Sequence, residues 1–210
     1  MIITLAHDKG GTGKSLTCLN LLALLKPDIA IDLDTRKDLT MLNNSREANK
    51  RFNVISCDNT KDLIGQLKQT EQGKIIIVDC GGFDSTLTSI AITAADIVIT
   101  PCNGTKTERN GLKSFSRILT RQSNKAKRNI QGFVLLNRTE PNKKNFSDID
   151  TFINGAPNLT RLNSIISRRS IIPESAETGL SVLEINNKKP TLTKAKNEFK
   201  ALEKELKELL

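Results

Sequence analysis

The chain of 210 residues has no tryptophan and no tyrosine, and aromatic residues make up only 3% of it. Readers of single-stranded nucleic acid stack bases on such side chains, so that binding mode is poorly supported. Its four cysteines, Cys18, Cys57, Cys80 and Cys102, form no CxxC pair. That usage fits a reduced, cytosolic protein better than a disulfide or metal framework. No apolar run approaches the roughly 20 residues of a membrane-spanning helix. The opening residues Met1-Ile2-Ile3-Thr4-Leu5 carry no basic stretch and no small-residue cleavage site, so no secretion signal is expected. There is no internal repeat and no long low-complexity linker, and residues 1–210 are expected to form a single domain.

Basic residues are abundant but unevenly spread. The net charge is +9, from 32 Lys/Arg and 23 Asp/Glu. Residues 1–100 hold 11 basic and 12 acidic residues, whereas residues 101–210 hold 21 and 11. The first half is therefore near neutral and the second is +10, which suggests that one face meets a polyanion.

Apolar runs at 2–6, 29–33, 53–57, 74–80, 97–100 and 130–136 read as strands. Helix-length stretches lie between them at 16–25, 36–50, 60–72, 85–95 and 106–123. Continuous β-branched strands alternating with helices predict an α/β fold, a mostly parallel sheet flanked by helices on both faces. Ligands of such sheets sit at the carboxyl ends of strands. A final helix is expected over 190–210, where Leu192, Ala195, Phe199, Leu202, Leu206 and Leu209 fall on one helical stripe.

The first strand runs into Lys9-Gly10-Gly11-Thr12-Gly13-Lys14-Ser15 and then a helix. Glycines there let backbone N–H groups turn toward an anion, and the helix N-terminus adds partial positive charge. Lys14 is placed to reach the β- and γ-phosphates of a nucleotide, and the Ser15 hydroxyl to ligate Mg²⁺. Asp8 stands where the ordinary phosphate loop has its first glycine. Lys9 is redundant for a nucleotide held within one chain. It makes sense if it reaches a phosphate bound by a second subunit, as an arginine finger does in trans.

On these residues the chain resembles the ParA/MinD family of deviant Walker-A ATPases, over roughly residues 1–185. Three later segments extend the likeness. Asp32-Leu33-Asp34 ends the second strand where the family has a D-x-D switch. By resemblance Asp34 positions the attacking water and Asp32 supports the metal, although Thr35-Arg36 replaces the usual Pro-Gln. Asp79-Cys80-Gly81-Gly82 ends the strongest strand, giving Asp79 as a second, water-mediated Mg²⁺ support and the glycine pair as a second switch. Asn137, at the end of the sixth strand, is where the family contacts adenine, and residues 168–182 resemble its late Arg, Glu-Ala, Gly segment. The resemblance thus implies a P-loop NTPase-like fold, ATP and Mg²⁺ as cofactors, weak intrinsic ATPase activity, Lys9 and Asp34 as catalytic residues, and an ATP-dependent homodimer.

Family members differ in what they bind. An Fe–S role would need interface cysteines, and none of the four stands in a cluster motif. A MinD-like membrane-cycling ATPase would need a basic amphipathic tail, but residues 190–210 hold five Lys against four Glu. The partition ATPases bind DNA non-specifically, which suits the basic half. Arg168 and Arg169 stand where they carry a functional Arg. Lys188, Lys189, Lys194 and Lys196 follow, and Arg117, Arg121, Lys125, Lys127 and Arg128 add charge. The expectation is a small partition ATPase without an N-terminal helix-turn-helix, since the first strand begins at Ile2. It would be cytoplasmic and nucleoid-associated, with no stable membrane association. A ParB-like or ParG-like centromere-binding partner would stimulate its hydrolysis.

Overall fold

Short runs rich in isoleucine and valine, buried on both faces, dictate a sheet covered by two helical layers. In the computed structural model, which describes residues 1–82 and 85–209, seven strands form one sheet with every pairing parallel. They are β1 (Ile2–Leu5), β2 (Ile29–Asp32), β3 (Val54–Ser56), β4 (Ile76–Asp79), β5 (Ile97–Cys102), β6 (Gly132–Thr139) and β7 (Leu159–Ser167). Their order is β3-β2-β4-β1-β5-β6-β7. The helices are α1 (Lys14–Leu25), α2 (Asp38–Asn44), α3 (Thr60–Leu67), α4 (Thr86–Ala94), α5 (Lys106–Ala126), α6 (Ser147–Asn154), α7 (Ile171–Glu177) and α8 (Pro190–Glu208).

Alternate residues of each strand point to opposite faces and so feed two separate cores. On one face Ile31, Val78, Val98 and Val134 pack with Leu63 of α3, Ile92 of α4, Phe115 of α5 and Ile149 of α6. On the other, Leu5, Ile77 and Ile99 pack with Leu19 of α1, Leu39 of α2, Ile172 of α7 and Phe199 of α8.

Several elements depart from the sequence reading. The stretch 36–50 is not one helix. Residues 34–37 form a turn closed by the Lys37 N–H on the Asp34 carbonyl, with Lys37 at φ 56°. At the end of α2 the Asn43 side chain pairs with both backbone groups of Phe52, and beyond it the Arg46 guanidinium binds the carbonyls of Lys50 and Gly179 and the Glu184 carboxylate. These contacts leave only a 3₁₀ turn at Ala48–Lys50. The stretch 60–72 likewise ends in a 3₁₀ turn, Lys68–Gln72. The sixth strand runs on to Thr139. β7, α6 and α7 were not expected, because Leu159–Ser167 alternates imperfectly and lies at a sheet edge.

α8 covers that edge. Leu192, Ala195, Phe199, Leu202 and Leu206 are buried, whereas Leu209, expected on the same stripe, is 41% exposed and Leu210 lies outside the described residues. Glu205 accepts from the N–H groups of Asn163 and Ser164, and Glu198 from the Ser167 N–H and hydroxyl. Two glutamates of α8 thus satisfy donors that an open edge would expose. Burial alone would raise the Glu205 carboxyl, but the hydrogen bonds from Ser164 and Asn163 outweigh it and hold it below the usual range. Phe199→Ala should lower stability by about 3–5 kcal/mol, read in a urea titration as a lower midpoint with an unchanged slope. A loss well under 1 kcal/mol would show that α8 is not part of the folded core.

Candidate active site

The register brings three strand ends together. Leu5 lies beside Asp79, and Asp79 beside Asp32. The loops leaving β1, β2 and β4 therefore converge at the carboxyl edge of the sheet. The β1 loop enters α1 through Gly13, which sits at φ 93° with no side chain capping the helix and no acidic residue in its first turn. The first-turn N–H groups are left for an anion, where the helix dipole favours one. A Cβ at Gly13 would stand 2.5 Å from the Asn137 amide nitrogen, so glycine is required by contact as well as by φ.

Other side chains brace this loop. The Asn137 amide donates to the Thr12 carbonyl at 2.9 Å. Arg138, at φ 57°, sets its guanidinium on the Gly11 carbonyl. Lys14 is buried, with its ammonium 3.5 Å from the Lys9 carbonyl. The Lys9 side chain is exposed, with no ion-pair partner among the described residues. Sequence reasoning missed Arg138. The signal was a cation directly after the strand-end asparagine.

The carboxylates divide into two kinds. Asp32 is fully buried and fully engaged: one oxygen accepts from the Asp34 N–H, the other from the Thr40 N–H and hydroxyl. It shapes the turn into α2, and both of its oxygens are already hydrogen-bonded within the chain. Asp34 accepts from the Arg36 N–H at 2.9 Å, with the Arg36 guanidinium 4.0 Å away. The Arg36 side chain itself is 69% exposed and donates to Asp38 at 3.0 Å. Gly81 lies against Asp34: a Cβ there would be 2.9 Å from the Asp34 Cα, so only glycine lets the β2 and β4 loops meet. Of the second-switch segment, residues 83 and 84 lie outside the described residues. Asp79 is also fully buried, yet neither oxygen has a hydrogen-bond partner. Burial pushes its carboxyl up to about 7; the Ser15 hydroxyl and Lys14 ammonium oppose that rise, and Asp32 and Asp34 add to it.

Two cavities meet at this loop. One, of about 520 Å³, is lined by Gly11, Gly13, Lys14, Ser15, Asp34 and Arg36. The other, of about 510 Å³, lies between Leu16, Asn137, Arg168, Ile172, Pro173 and Phe199. Gly13, Leu16 and Arg138 line both. A charged phosphate compartment beside a mostly apolar one matches the two ends of a nucleotide. Among the described residues no group of three or more His, Cys, Asp or Glu could hold a metal. Mg²⁺ needs none, because it keeps waters and takes one or two carboxylates plus substrate phosphates. The orphaned Asp79 and the Ser15 hydroxyl fit that demand. The four cysteines are buried and unpaired, and burial pushes the Cys80 and Cys102 thiols up to about 12, which disfavours cluster ligation.

Residues 3–182 match the family described as the CobQ/CobB/MinD/ParA nucleotide binding domain. The chain belongs to that family and carries its ATPase domain. It is 31% identical over 105 residues to Protein ParA of Rhizobium radiobacter, a match spanning 48% of this chain and 47% of that protein, so about half of the relative's length is covered. Its fold is similar to that of a McdA variant from Cyanothece solved with ATP (TM-score 0.74, 15% identity, 98% and 96% of the two chains). It is also similar to a plasmid partition protein of Borrelia burgdorferi B31 bound to AMPPNP (TM-score 0.64, 17% identity, 97% and 98%).

In this CobQ/CobB/MinD/ParA-family chain the expected DNA-binding residues do not act alike. Arg168, Lys188 and Lys189 are exposed. Arg169 is 11% exposed at its side chain and lies 2.6 Å from Glu198, so its charge is neutralised by α8.

The only histidine, His7, also sits under the phosphate loop. It is buried, accepts from the Lys9 N–H through Nδ1 at 2.8 Å, lies parallel to Phe115 with ring centroids 6.2 Å apart, and leaves Nε2 unpartnered. Burial, then Lys14 and Lys9, lower its pKa to about 4. The folded state thus holds His7 neutral while an unfolded chain protonates near 6.5, so its contribution falls as pH drops from about 6.5 to about 4. The stability gap between wild type and His7→Asn should shift against wild type by on the order of 3 kcal/mol across that window, measured by urea unfolding at several pH values. A gap independent of pH would contradict a buried neutral His7.

Proposed function

We propose that this ATPase segregates DNA, forming an ATP-dependent homodimer that binds duplex DNA without sequence preference. Ser15, with Asp32 and Asp79 acting through bound water, would hold a Mg²⁺ ion, which would supply charge neutralisation at the phosphates. Gly10, Gly11, Thr12, Gly13 and Lys14 cradle the phosphates, and Asn137 stands beside the base compartment. Lys9 reaches the nucleotide of the partner subunit. Asp34 orients the attacking water, and hydrolysis leaves ADP and phosphate. Arg168, Lys188 and Lys189 meet DNA phosphates. A ParB-like or ParG-like centromere-binding protein stimulates turnover, so hydrolysis acts as a timer, and the protein works in the cytoplasm on the nucleoid.

The observation that carries this reading is the exposed Lys9 beside an otherwise self-sufficient phosphate loop: its side chain has no partner among the described residues. A MinD-like membrane cycle would want a free amphipathic tail, whereas the apolar stripe of α8 is buried against the sheet. Among the described residues no helix is long and apolar enough to cross a membrane.

The test is duplex binding measured with ATP, with ADP and without nucleotide, titrated with salt. ATP should tighten salt-sensitive binding well beyond the ADP and nucleotide-free states, and equal affinity in all three states would contradict the reading. Lys14→Ala should lose ATP binding and ATP-dependent DNA binding together. Asp34→Ala should keep ATP binding and lose most turnover, read as phosphate release; unchanged turnover would move the water-positioning role elsewhere. Arg168→Glu should weaken DNA binding while sparing ATP binding.

A further inference from the structure

α5 carries six basic residues and one acidic one, Glu108, which is buried and bound to the Asn103 N–H. Lys113, Arg117, Arg121 and Lys125 follow one another at intervals of four. At that spacing successive side chains stand about 6 Å apart and drift by about 40° per step, so the four form one stripe about 18 Å long. All four are exposed, and none has an ion-pair or hydrogen-bond partner among the described residues. Their neighbours differ. Arg109 is tied to Asp148 at 3.2 Å, and Arg128 donates to the carbonyls of Thr93 and Ala95. Thr120 and Asn124 join Arg117, Arg121 and Lys125 around a shallow depression on this face.

The stripe is not a continuation of the Arg168, Lys188 and Lys189 patch. The apolar side of α5, with Leu112, Phe115, Ile118 and Leu119, is packed into one core, and α8 is packed into the other, across the sheet. Nor does it depend on the nucleotide loops, since it lies on a regular helix.

We infer that the exposed face of α5 is a second, preformed track for the phosphate backbone of duplex nucleic acid, on the opposite helical layer from Arg168, Lys188 and Lys189. Four unpaired cations in a row complement a duplex that carries one charge per about 1.7 Å of axis. The face has no exposed aromatic or aliphatic side chain. It can neither stack unpaired bases nor enter a lipid surface, which leaves the duplex backbone as its partner. Lysine and arginine contacts to phosphates carry no sequence information, so binding is sequence-independent. The choice of DNA rests on the partition reading, but the track differs from the ATP-switched patch in one respect: it binds in the absence of nucleotide.

The experiment measures binding of a fluorescent random-sequence duplex to the nucleotide-free protein and to the ATP form, between about 50 and 200 mM salt. The nucleotide-free protein should bind with a log–log salt slope near −3.6, from four contacts at about −0.9 each. K113E/R117E/R121E/K125E, and the neutral K113Q/R117Q/R121Q/K125Q, should flatten that slope and lose more than tenfold in affinity, with helical circular dichroism unchanged. Reversing four other exposed lysines (K26E/K61E/K68E/K200E) should cost far less; an equal loss would reduce the effect to net charge and overturn the track. An unaltered slope in both α5 variants overturns it too, as does binding to phosphatidylserine vesicles that is stronger than binding to duplex. The two readings separate cleanly. If wild type binds duplex only with ATP and the α5 variants match it, the track is wrong and partition stands. If the α5 variants lose nucleotide-free binding but ATP never tightens wild type, the track stands and partition fails.

Discussion

Asp79 is buried at the end of β4, and neither of its oxygens is hydrogen-bonded. A carboxylate in that state is costly, and the protein responds by holding its proton to about pH 7. The cost persists because the sheet register leaves no choice: β4 lies between β1 and β2, so its last residue must stand between the phosphate loop and the Asp32 turn. Much of the site answers to that position. Ser15 and Lys14 come from the helix that β1 launches, and Asp32 is bound to Thr40 and the Asp34 backbone, so one of two neighbouring carboxylates is compensated and the other is not. An uncompensated carboxylate beside uncapped helix N–H groups is a place for a cation and an anion together, as a magnesium-bound phosphate would supply.

The loops around Asp79 are braced before any ligand arrives. Asn137 and Arg138 reach from β6 to the carbonyls of Thr12 and Gly11, and Gly81 lets the β4 loop touch Asp34. Farther out, Asn20 of α1 accepts from the Ser181 hydroxyl and the Val182 N–H, while Glu184 of the same segment pairs with Arg46 beyond α2. The helix that begins at the phosphate loop and the helix that follows the Asp34 turn are therefore joined through residues 181–184. Such bracing preorganises a binding site, because little order remains to be imposed when the ligand binds.

Much of this was legible in the sequence. The Lys9–Ser15 loop, the strands before it and after it, and the aspartates at strand ends follow from local pattern, since a buried parallel strand and a glycine-rich turn announce themselves over a few residues. Most of what the sequence hid was tertiary. β7 is an edge strand whose donors are met by Glu198 and Glu205, some 30 to 40 residues away. The break after α2 is imposed by Arg46 and its distant partners Gly179 and Glu184. Arg169 looked like half of a basic pair until Glu198 came to lie against it. Conversely, four evenly spaced cations on α5 gain their meaning only once the fold shows which side of that helix is buried.

In the proposed dimer, Lys9 of each chain meets the nucleotide of the other. The most direct measurement is sedimentation velocity of the protein with Mg²⁺ and a non-hydrolysable ATP analogue, set beside the Lys9→Ala variant. The expected result is a dimer for wild type with the analogue, a monomer with ADP, and a monomer for Lys9→Ala even when it binds the analogue. A wild type that remains monomeric while saturated with the analogue, or a Lys9→Ala variant that dimerises as well as wild type, would contradict it.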